Sequence, residues 1–533
     1  MTRADFTNTF VMMRLVLRRD RTRFAVWVLA IAVLVLTSAS SVKGLYDTPE
    51  SLAAYARLVK DNAALIVQAG PGFGLDDPTV GAVLMNELSI WAIIVVALLS
   101  MFTVTRHTRA EEESERADVV RSTPLGRDAN AAATMLAVLL VDVVVAAVVA
   151  GGLVGLGLSV AGSVAFGASL VGAGVVFASI TLVSAQIFPT ARAASGSAFL
   201  VLGISFVIRA IGDVAGNGLS WLSPIGWAQA VRPFADERWW VLLLPIAASF
   251  VLVALSAGLA DRRDLGAGLL PQRVGPASAG ALLSTPFGLA VRLHRASVLG
   301  WATGVTLLSF FYGVVAEQAQ RMLDDNPDLA DFFAQLGTGS ITDAFLATAV
   351  TMTALLVGGY AVAAVLRLRT EESGGRADPL LATPTSRARW ALSHLAVAMV
   401  AQVALLAAGG LALGLGAAVA MGDAGRVLQL TGATLAMAPA AALLAAIAFL
   451  FAAAWPRAAL ASWVGVGAAA VIALLGGVLD LPDAVKALSP FHHVPAMPVQ
   501  PFEVAPLLVL AAMGALAVAA GLGGLRRRDM ART

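Results

Sequence analysis

The chain reads as long apolar runs separated by short polar breaks. Stretches rich in Ala, Leu and Val cover about 24–44, 84–105, 130–155, 163–187, 197–213 and 239–260. Six more cover about 297–316, 345–366, 389–420, 427–453, 458–479 and 504–525. A helix needs about 20 mostly apolar residues to cross a bilayer, and these runs have that length. A transmembrane barrel would instead show alternating segments of about ten residues. Backbone groups in hydrocarbon must pair within their own segment. The pattern therefore predicts an all-α, polytopic membrane protein with twelve transmembrane helices.

Ahead of the first run, Phe10, Met13 and Leu17 fall at i, i+3 and i+7, while Arg14, Arg18 and Arg21 take another face. That spacing predicts an amphipathic elbow helix lying along a membrane surface. The first run has no small-residue cleavage site followed by a soluble domain, so it reads as a retained span and not a signal peptide. A polar stretch at 261–284, with Arg262, Arg263, Asp264, Pro271, Gly275 and Pro276, reads as a linker. The pattern then restarts at Phe287, with Arg292 and Arg295 on a second amphipathic segment. The expected organisation is a first six-helix repeat at 1–265, a cytoplasmic linker at 266–284 and a second six-helix repeat at 285–533.

Composition agrees. Hydrophobic residues make up 59% of the chain and charged residues 13%, with mean hydropathy +0.83. Soluble domains carry about 25% charged residues. A net charge of +2 says little about partners and nothing in it points to nucleic acid. Cysteine is absent, which excludes disulfides, thiol chemistry and Cys-ligated metal. Arginine far outnumbers lysine, which occurs only at 43, 60 and 486, a bias that suggests a GC-rich bacterial genome and hence a bacterial plasma membrane. Most arginines fall in the N-terminal segment, 106–127, 262–273, 367–389 and 526–532, with Arg192 and Arg457. The loops at 45–83 and 317–344 lean acidic instead, through Asp47, Glu50, Asp61, Asp76, Asp77, Glu317, Asp324, Asp325, Asp328 and Asp331. The positive-inside rule then places both termini in the cytoplasm.

One charged motif occurs twice. Arg109-x-Glu111-Glu112-x3-Arg116-Ala117-Asp118-x4-Thr123-Pro124-x2-Arg127 returns as Arg369-x-Glu371-Glu372-x3-Arg376-Ala377-Asp378-x4-Thr383-Pro384-x2-Arg387. Weaker echoes keep the same order: Phe188-Pro189 with Trp455-Pro456, Leu222-Ser223-Pro224 with Leu488-Ser489-Pro490, and Arg262-Arg263-Asp264 with Arg527-Arg528-Asp529. Two parallel repeats of six spans insert with the same orientation. Each motif sits between the second and third spans of its half. Arg109, Glu112 and Arg116, like Arg369, Glu372 and Arg376, suit a charge ladder on one helix face. Asp118 and Asp378 suit the N-cap of a short helix, with Pro379 at its first position. Thr123-Pro124 and Thr383-Pro384 suit the start of the third span, and Gly374-Gly375 predicts a kink in the second ladder. A merely solvated loop has no reason to hold these spacings twice. A short capped helix shown twice suits docking onto a two-fold or pseudo-two-fold partner.

With these motifs the chain resembles the membrane subunit of ABC-2-type exporters. Within them it is similar to the internally duplicated polyketide-antibiotic (tetronasin-type) exporter permeases of actinobacteria. The resemblance rests on Arg-x-Glu-Glu…Arg-Ala-Asp…Thr-Pro…Arg at 109–127 and 369–387, and on Ser223-Pro224-Ile225-Gly226-Trp227 before the sixth span. The second copy, Ser489-Pro490-Phe491-His492-His493, lacks the Gly-Trp. The resemblance implies an elbow helix and a coupling helix in each half. It implies that Arg109, Glu111, Glu112, Arg116, Asp118, Thr123, Arg369, Glu371, Glu372, Arg376, Asp378 and Thr383 form the interface to two copies of an ABC ATPase. ATP and Mg2+ are then expected on that partner and no cofactor in this chain. The chain has no G-x4-G-K-[ST] phosphate loop, and no lysine follows a glycine. The implied function is efflux of hydrophobic or amphipathic compounds by a membrane subunit that is not itself an enzyme, embedded in lipid.

Within the spans, Asp142 and the matching Gln402 are polar at mid-membrane depth, where such residues are costly and often functional. In the resembled family the second and fifth spans line a cavity, which adds Trp91, Phe199, Phe206 and Tyr360 to Asp142 and Gln402 as substrate contacts. Glu87, Arg209, Asp213 and Glu317 lie near span ends, where snorkelling to water accounts for them. The five histidines show no metal pattern. A proton-coupled twelve-helix transporter with Asp142 as the relay is the alternative reading.

Overall fold

The computed structural model describes residues 3–60, 63–271, 277–324, 341–475 and 482–528. It divides into two compact units, Met1–Gly275 and Pro276–Thr533. Every extended element among the described residues is a helix, and twelve are long and apolar enough to cross a membrane, six in each unit. The acidic residues Asp61, Asp325, Asp328 and Asp331 and the repeat residue Asp529 lie outside the described residues.

Unit 1 begins with α1 (Thr9–Arg19), which breaks at Asp20 before the first span α2 (Arg21–Leu45). Thr9, Met12 and Val16 form the buried face of α1. The expected apolar stripe divides: Met13 and Leu17 pack partly against the core, and Phe10 is 72% exposed beside Val11 and Leu15. Arg14 and Arg18 also point outward, so α1 is amphipathic in the sense of a surface-lying helix. Two short helices follow, α3 (Pro49–Lys60) and α4 (Ala63–Ala69). The second span α5 (Val80–His107) starts where Thr79 accepts a hydrogen bond from the Ala82 amide. After it come α6 (Arg109–Glu113) and α7 (Arg116–Arg121). Then come the spans α8 (Ala129–Gly155), α9 (Val160–Ile187) and α10 (Ala191–Ala215). Ser159 and Thr190 cap α9 and α10. The short α11 (Pro224–Ala230) has Ser223 as its cap and Pro224 at its start, and the last span continues into α12 (Leu243–Ala260).

Unit 2 joins its elbow and first span into one helix, α13 (Pro286–Asp324), where unit 1 has two. It continues with α14 (Ile341–Ser373), α15 (Asp378–Leu381) and α16 (Arg387–Met421). The fourth span is broken into α17 (Gly425–Ala436) and α18 (Ala438–Ala454). The break follows from Pro439, which has no amide hydrogen to donate. Gln402 of α16 donates to the Ala438 carbonyl at 2.9 Å beside that break. The fifth span ends in α19 (Ser462–Leu475), and α20 (Asp483–Lys486) and the last span α21 (Val504–Arg527) complete the unit.

Burial ranks the spans within each unit. In unit 1 the second and fourth spans are 72% buried, the first 28% and the sixth 22%. In unit 2 the second is again 72% buried and the fourth 61%, against 17% for the first, fifth and sixth. Helices in lipid gain little from burying apolar area, so close packing through small residues decides which faces meet. Helix α9 buries Ser163, Gly167, Ser169, Ala173, Gly174 and Ala178 on the faces it shares with α5, α8 and α12. In unit 2, α13 and α16 cross where a side chain on Gly313 would lie 2.2 Å from the Leu413 carbonyl. One on Gly416 would lie 2.3 Å from the Phe310 carbonyl, so both positions require glycine.

Candidate functional site

The duplicated motif forms a turn at one end of each unit. In unit 1 the helix of the second span interrupts at Thr108, resumes as α6 and reverses at Glu115, whose φ is 59. In unit 2 helix α14 runs unbroken to Ser373 and reverses at Gly375, with φ 66. Both reversals thus fall at the same motif position. The expected ladder stops there. Arg109 and Glu112 pair at 2.7 Å, but Arg116 lies beyond the reversal, on α7. Arg369 and Glu372 approach to 3.9 Å, and Arg376 turns back to Glu371 at 2.8 Å. That hydrogen bond pushes the Arg376 guanidinium pKa up.

The capping expectation also changes. Glu115 and Ala377 occupy the cap positions of α7 and α15, Asp118 sits within the first turn of α7, and Asp378 opens α15 beside Pro379. Their carboxylates stay near a helix start, where the macrodipole favours negative charge. The third spans begin after Asp128 and Ser386, not at the Thr-Pro pairs. Thr123 and Thr383 instead close the short helices, each hydroxyl donating to a carbonyl three residues back, Val120 and Leu380.

The motif has an inner and an outer face. Arg109, Glu111, Glu371 and Glu372 are buried in their own unit, while Arg116, Asp118, Thr123, Arg376, Asp378 and Thr383 are exposed. Ala117 and Ala377, between the exposed pairs, are buried and anchor the short helices. Only the second half of the motif therefore lies on the surface of its unit. The Arg-x-Glu-Glu half is turned inward because its charges have partners there.

Those partners include arginines that sequence reading did not assign to the site. Arg263, past the end of α12, donates to both oxygens of Glu112 at 2.7 and 2.6 Å, and to Gln186 at 2.7 Å. Arg109 donates to the carbonyls of Pro189 and Gly266 at 2.6 and 2.7 Å, so Glu112 bridges two guanidinium groups. In unit 2, Arg528, past the end of α21, donates to both oxygens of Glu372 at 2.5 and 2.9 Å and to the Ala453 carbonyl at 2.5 Å. Each turn is thus clamped to the last span of its unit by a two-pronged Arg–carboxylate pair, the strong geometry for such bonds. The repeat of Arg262-Arg263-Asp264 in Arg527-Arg528-Asp529 was the signal that could have found them. Further contacts fasten the unit 1 turn: Glu113 accepts from the Ala191 amide at 3.0 Å, Arg19 of α1 pairs with Glu111, and His107 lies 3.0 Å from Asp20.

The residues proposed to meet substrate differ in exposure within their own units. Asp142 is buried between α8, α5 and α9, with Ser100 donating to its carboxylate at 3.1 Å, and Gly174 leaves the room it occupies. Tyr360 is fully buried against Trp301, and Gln402 is held at the broken fourth span. Trp91 is 45% exposed, Phe199 packs edge-on against Phe102 at 5.4 Å, and Phe206 lies 4.7 Å beneath the Arg209 guanidinium. Along α10, Leu200, Ile204, Val207, Ile211 and Val214 are exposed at alternating spacings of four and three, one continuous apolar seam.

Arg209 corrects another expectation. It does not snorkel: it is fully buried and donates to the carbonyls of Ile66 and Val67 at 3.1 and 2.6 Å, with Asp213 at 3.4 Å. The guanidinium ties the carboxyl end of α4 to the fifth span, at the end of the unit opposite the turn. Among the described residues no group of three His, Cys, Asp or Glu side chains could hold a metal, although His294 and His394 stand 3.1 Å apart.

Comparison with known proteins places the chain among transport proteins. The family model described as multidrug efflux system permease Rv1217c, C-terminal domain, matches residues 12–260 and 283–526. The multidrug efflux system permease protein Rv1217c of Mycobacterium tuberculosis is 38% identical over 530 residues, covering 99% of this chain and 96% of the relative.

Proposed function

The chain belongs to the Rv1217c-like family of multidrug efflux permeases, and from that membership we propose that it is the membrane subunit of an ATP-driven ABC-2-type exporter. It moves hydrophobic or amphipathic compounds, antibiotics among them, out of the bacterial cytoplasm. It carries no ATPase of its own and works with two copies of a separate ABC ATPase, which hold ATP and Mg2+. Both termini and both motif turns face the cytoplasm, and each ATPase docks on one turn.

The carrying observation is the two-faced turn. Its outer face offers charged residues on a short helix, Arg116 and Asp118 in unit 1 and Arg376 and Asp378 in unit 2. Its inner face is clamped to the last span through Glu112–Arg263 or Glu372–Arg528. A push on the short helix is then carried to the span by buried hydrogen bonds and not lost in a soft loop. Arg109, Glu111, Glu112, Arg369, Glu371 and Glu372 serve as the rigid backing of the interface, and the exposed residues supply its contacts. For the substrate, the aromatic residues Trp91, Phe199 and Phe206 and the seam of α10 offer apolar contacts in unit 1.

The test replaces exposed residues, so that folding is not at stake: Asp118→Arg with Asp378→Arg, purified together with the ATPase. The expected result is loss of the ATPase from the complex and loss of drug-stimulated ATP hydrolysis, with an unchanged melting temperature of the permease. Normal assembly and normal stimulation in the double variant would sink the docking role.

A further inference from the structure

In unit 2 the first span carries an open groove of about 490 Å3 between α13 and Leu356 of α14. Its floor is a row at i+4 spacing, Ala296, Gly300, Gly304 and Leu308, and Trp301 lines it from beside, edge-on to the buried Tyr360. Residues four apart are neighbours on one face of a helix. The row runs about 18 Å at the rise of an α-helix. Half of a hydrocarbon core is about 15 Å, so the groove has the length of one leaflet.

The two glycines serve no packing inside the unit. A side chain on Gly300 or Gly304 would meet nothing within 4 Å, whereas one on Gly313 of the same helix would strike the Leu413 carbonyl. Glycine weakens a helix interior, and larger apolar residues would stand at both positions without a clash. The row keeps room for something outside the unit.

Chemistry at the head of the groove names the occupant. The same row continues back to Arg292, four residues before Ala296, and Arg295 lies next to it. Unit 1 breaks its helix at Asp20 between elbow and first span, but α13 runs through, so both arginines stay in line with the span. His294 between them stands 3.1 Å from His394, in the first turns of α16, which sets this level at the turn end of the unit. Arg292 and Arg295 are exposed, and their side chains make no ion pair or hydrogen bond among the described residues. The medium at the end of an apolar span is lipid headgroups, and basic side chains there attract anionic ones. An apolar helix would use the groove and leave the arginines idle, whereas a phospholipid uses both.

We propose that this groove holds one acyl chain of an anionic phospholipid from the leaflet at the turn end, with its phosphate on Arg292 and Arg295. The site does not depend on how the permease is powered, so its failure and the failure of the coupling reading are separate results.

The experiment uses the full chain in phosphatidylcholine nanodiscs and the fluorescence of Trp301, taken as the difference between the native chain and Trp301→Phe. Phosphatidylglycerol with brominated acyl chains should quench it saturably, at a lower mole fraction than brominated phosphatidylcholine by about fivefold for each arginine. Arg292→Gln with Arg295→Gln should abolish that preference, while Arg389→Gln, an exposed arginine at the same end, should leave it. Gly300→Leu with Gly304→Leu should fill the groove and remove the saturable part of the quenching. Each variant is checked by its melting temperature. The proposal is overturned by equal quenching from the two lipids, by a preference that survives loss of both arginines, or by saturable quenching that survives the filled groove. Absence of quenching by either lipid would show that protein covers the groove, and overturns it as well.

Discussion

Glu115 adopts a left-handed backbone, φ 59, that its repeat counterpart Gly375 adopts at φ 66. An L-residue with a side chain pays about 1–2 kcal/mol there and glycine almost nothing. Glu115→Gly should therefore raise stability by about 1 kcal/mol, and Gly375→Ala should lower it by a similar amount, both read as shifts in melting temperature. Equal and opposite signs are required; a destabilising Glu115→Gly would show that its side chain does more than tolerate the turn. The Gly374-Gly375 pair was legible in the sequence as a break, but nothing in Glu115 announces one. Arg209 was illegible for a different reason. Its acceptors, the carbonyls of Ile66 and Val67, are backbone atoms 143 and 142 positions away, and no side-chain pattern marks them. Truncating one partner of a buried charge network costs about 3–5 kcal/mol, so Arg209→Met should detach α4. Hydrogen exchange at 63–69 should rise at least tenfold, while exchange in α8 stays as it was.

At the scale of elements, the decisive device is the clamp between the turn and the last span. Its two copies use Glu112 with Arg263 and Glu372 with Arg528, each through two parallel hydrogen bonds. The single variant Glu112→Arg places three guanidinium groups together, with Arg109 and Arg263 unpaired, and should lose about 3 kcal/mol. Glu112→Arg combined with Arg263→Glu restores opposite charges and should recover part of that loss. Melting curves of the two singles and the double form the measurement; additive losses would show that the two side chains do not act as a pair. The motif was legible because it is repeated in type and spacing. The burial of its inward half was not legible, because a charged stretch between apolar runs looks solvated until its partners are known. Those partners sit at the far end of the unit's sequence.

At the scale of the whole molecule, hydropathy found all twelve spans, with ends displaced by a few residues where caps such as Thr79, Ser159 and Ser386 set them. It could not rank them. The fourth and fifth spans of unit 1 have the same hydropathy, 2.0, yet one is 72% buried and the other 33%. Lipid and protein interior are alike to an apolar side chain, so the distinction rests on small residues such as Gly174 and not on apolarity. For the same reason exposure was not legible for the expected substrate residues: Asp142, Tyr360 and Gln402 are buried within their own units and Trp91 is not, although all lie in similarly apolar runs.

The clamp also imposes an order on the making of the protein. Glu112 leaves the ribosome 151 residues before Arg263, and Glu372 precedes Arg528 by 156. Synthesis proceeds at roughly 5–20 residues per second, so each turn waits roughly 8–30 seconds for the arginine that locks it. Until then Glu112 has Arg109 alone, and the turn lacks its tie to the last span. A chain cut short before its sixth span never receives the second arginine. The closing residue of each half is therefore a receipt for its completion.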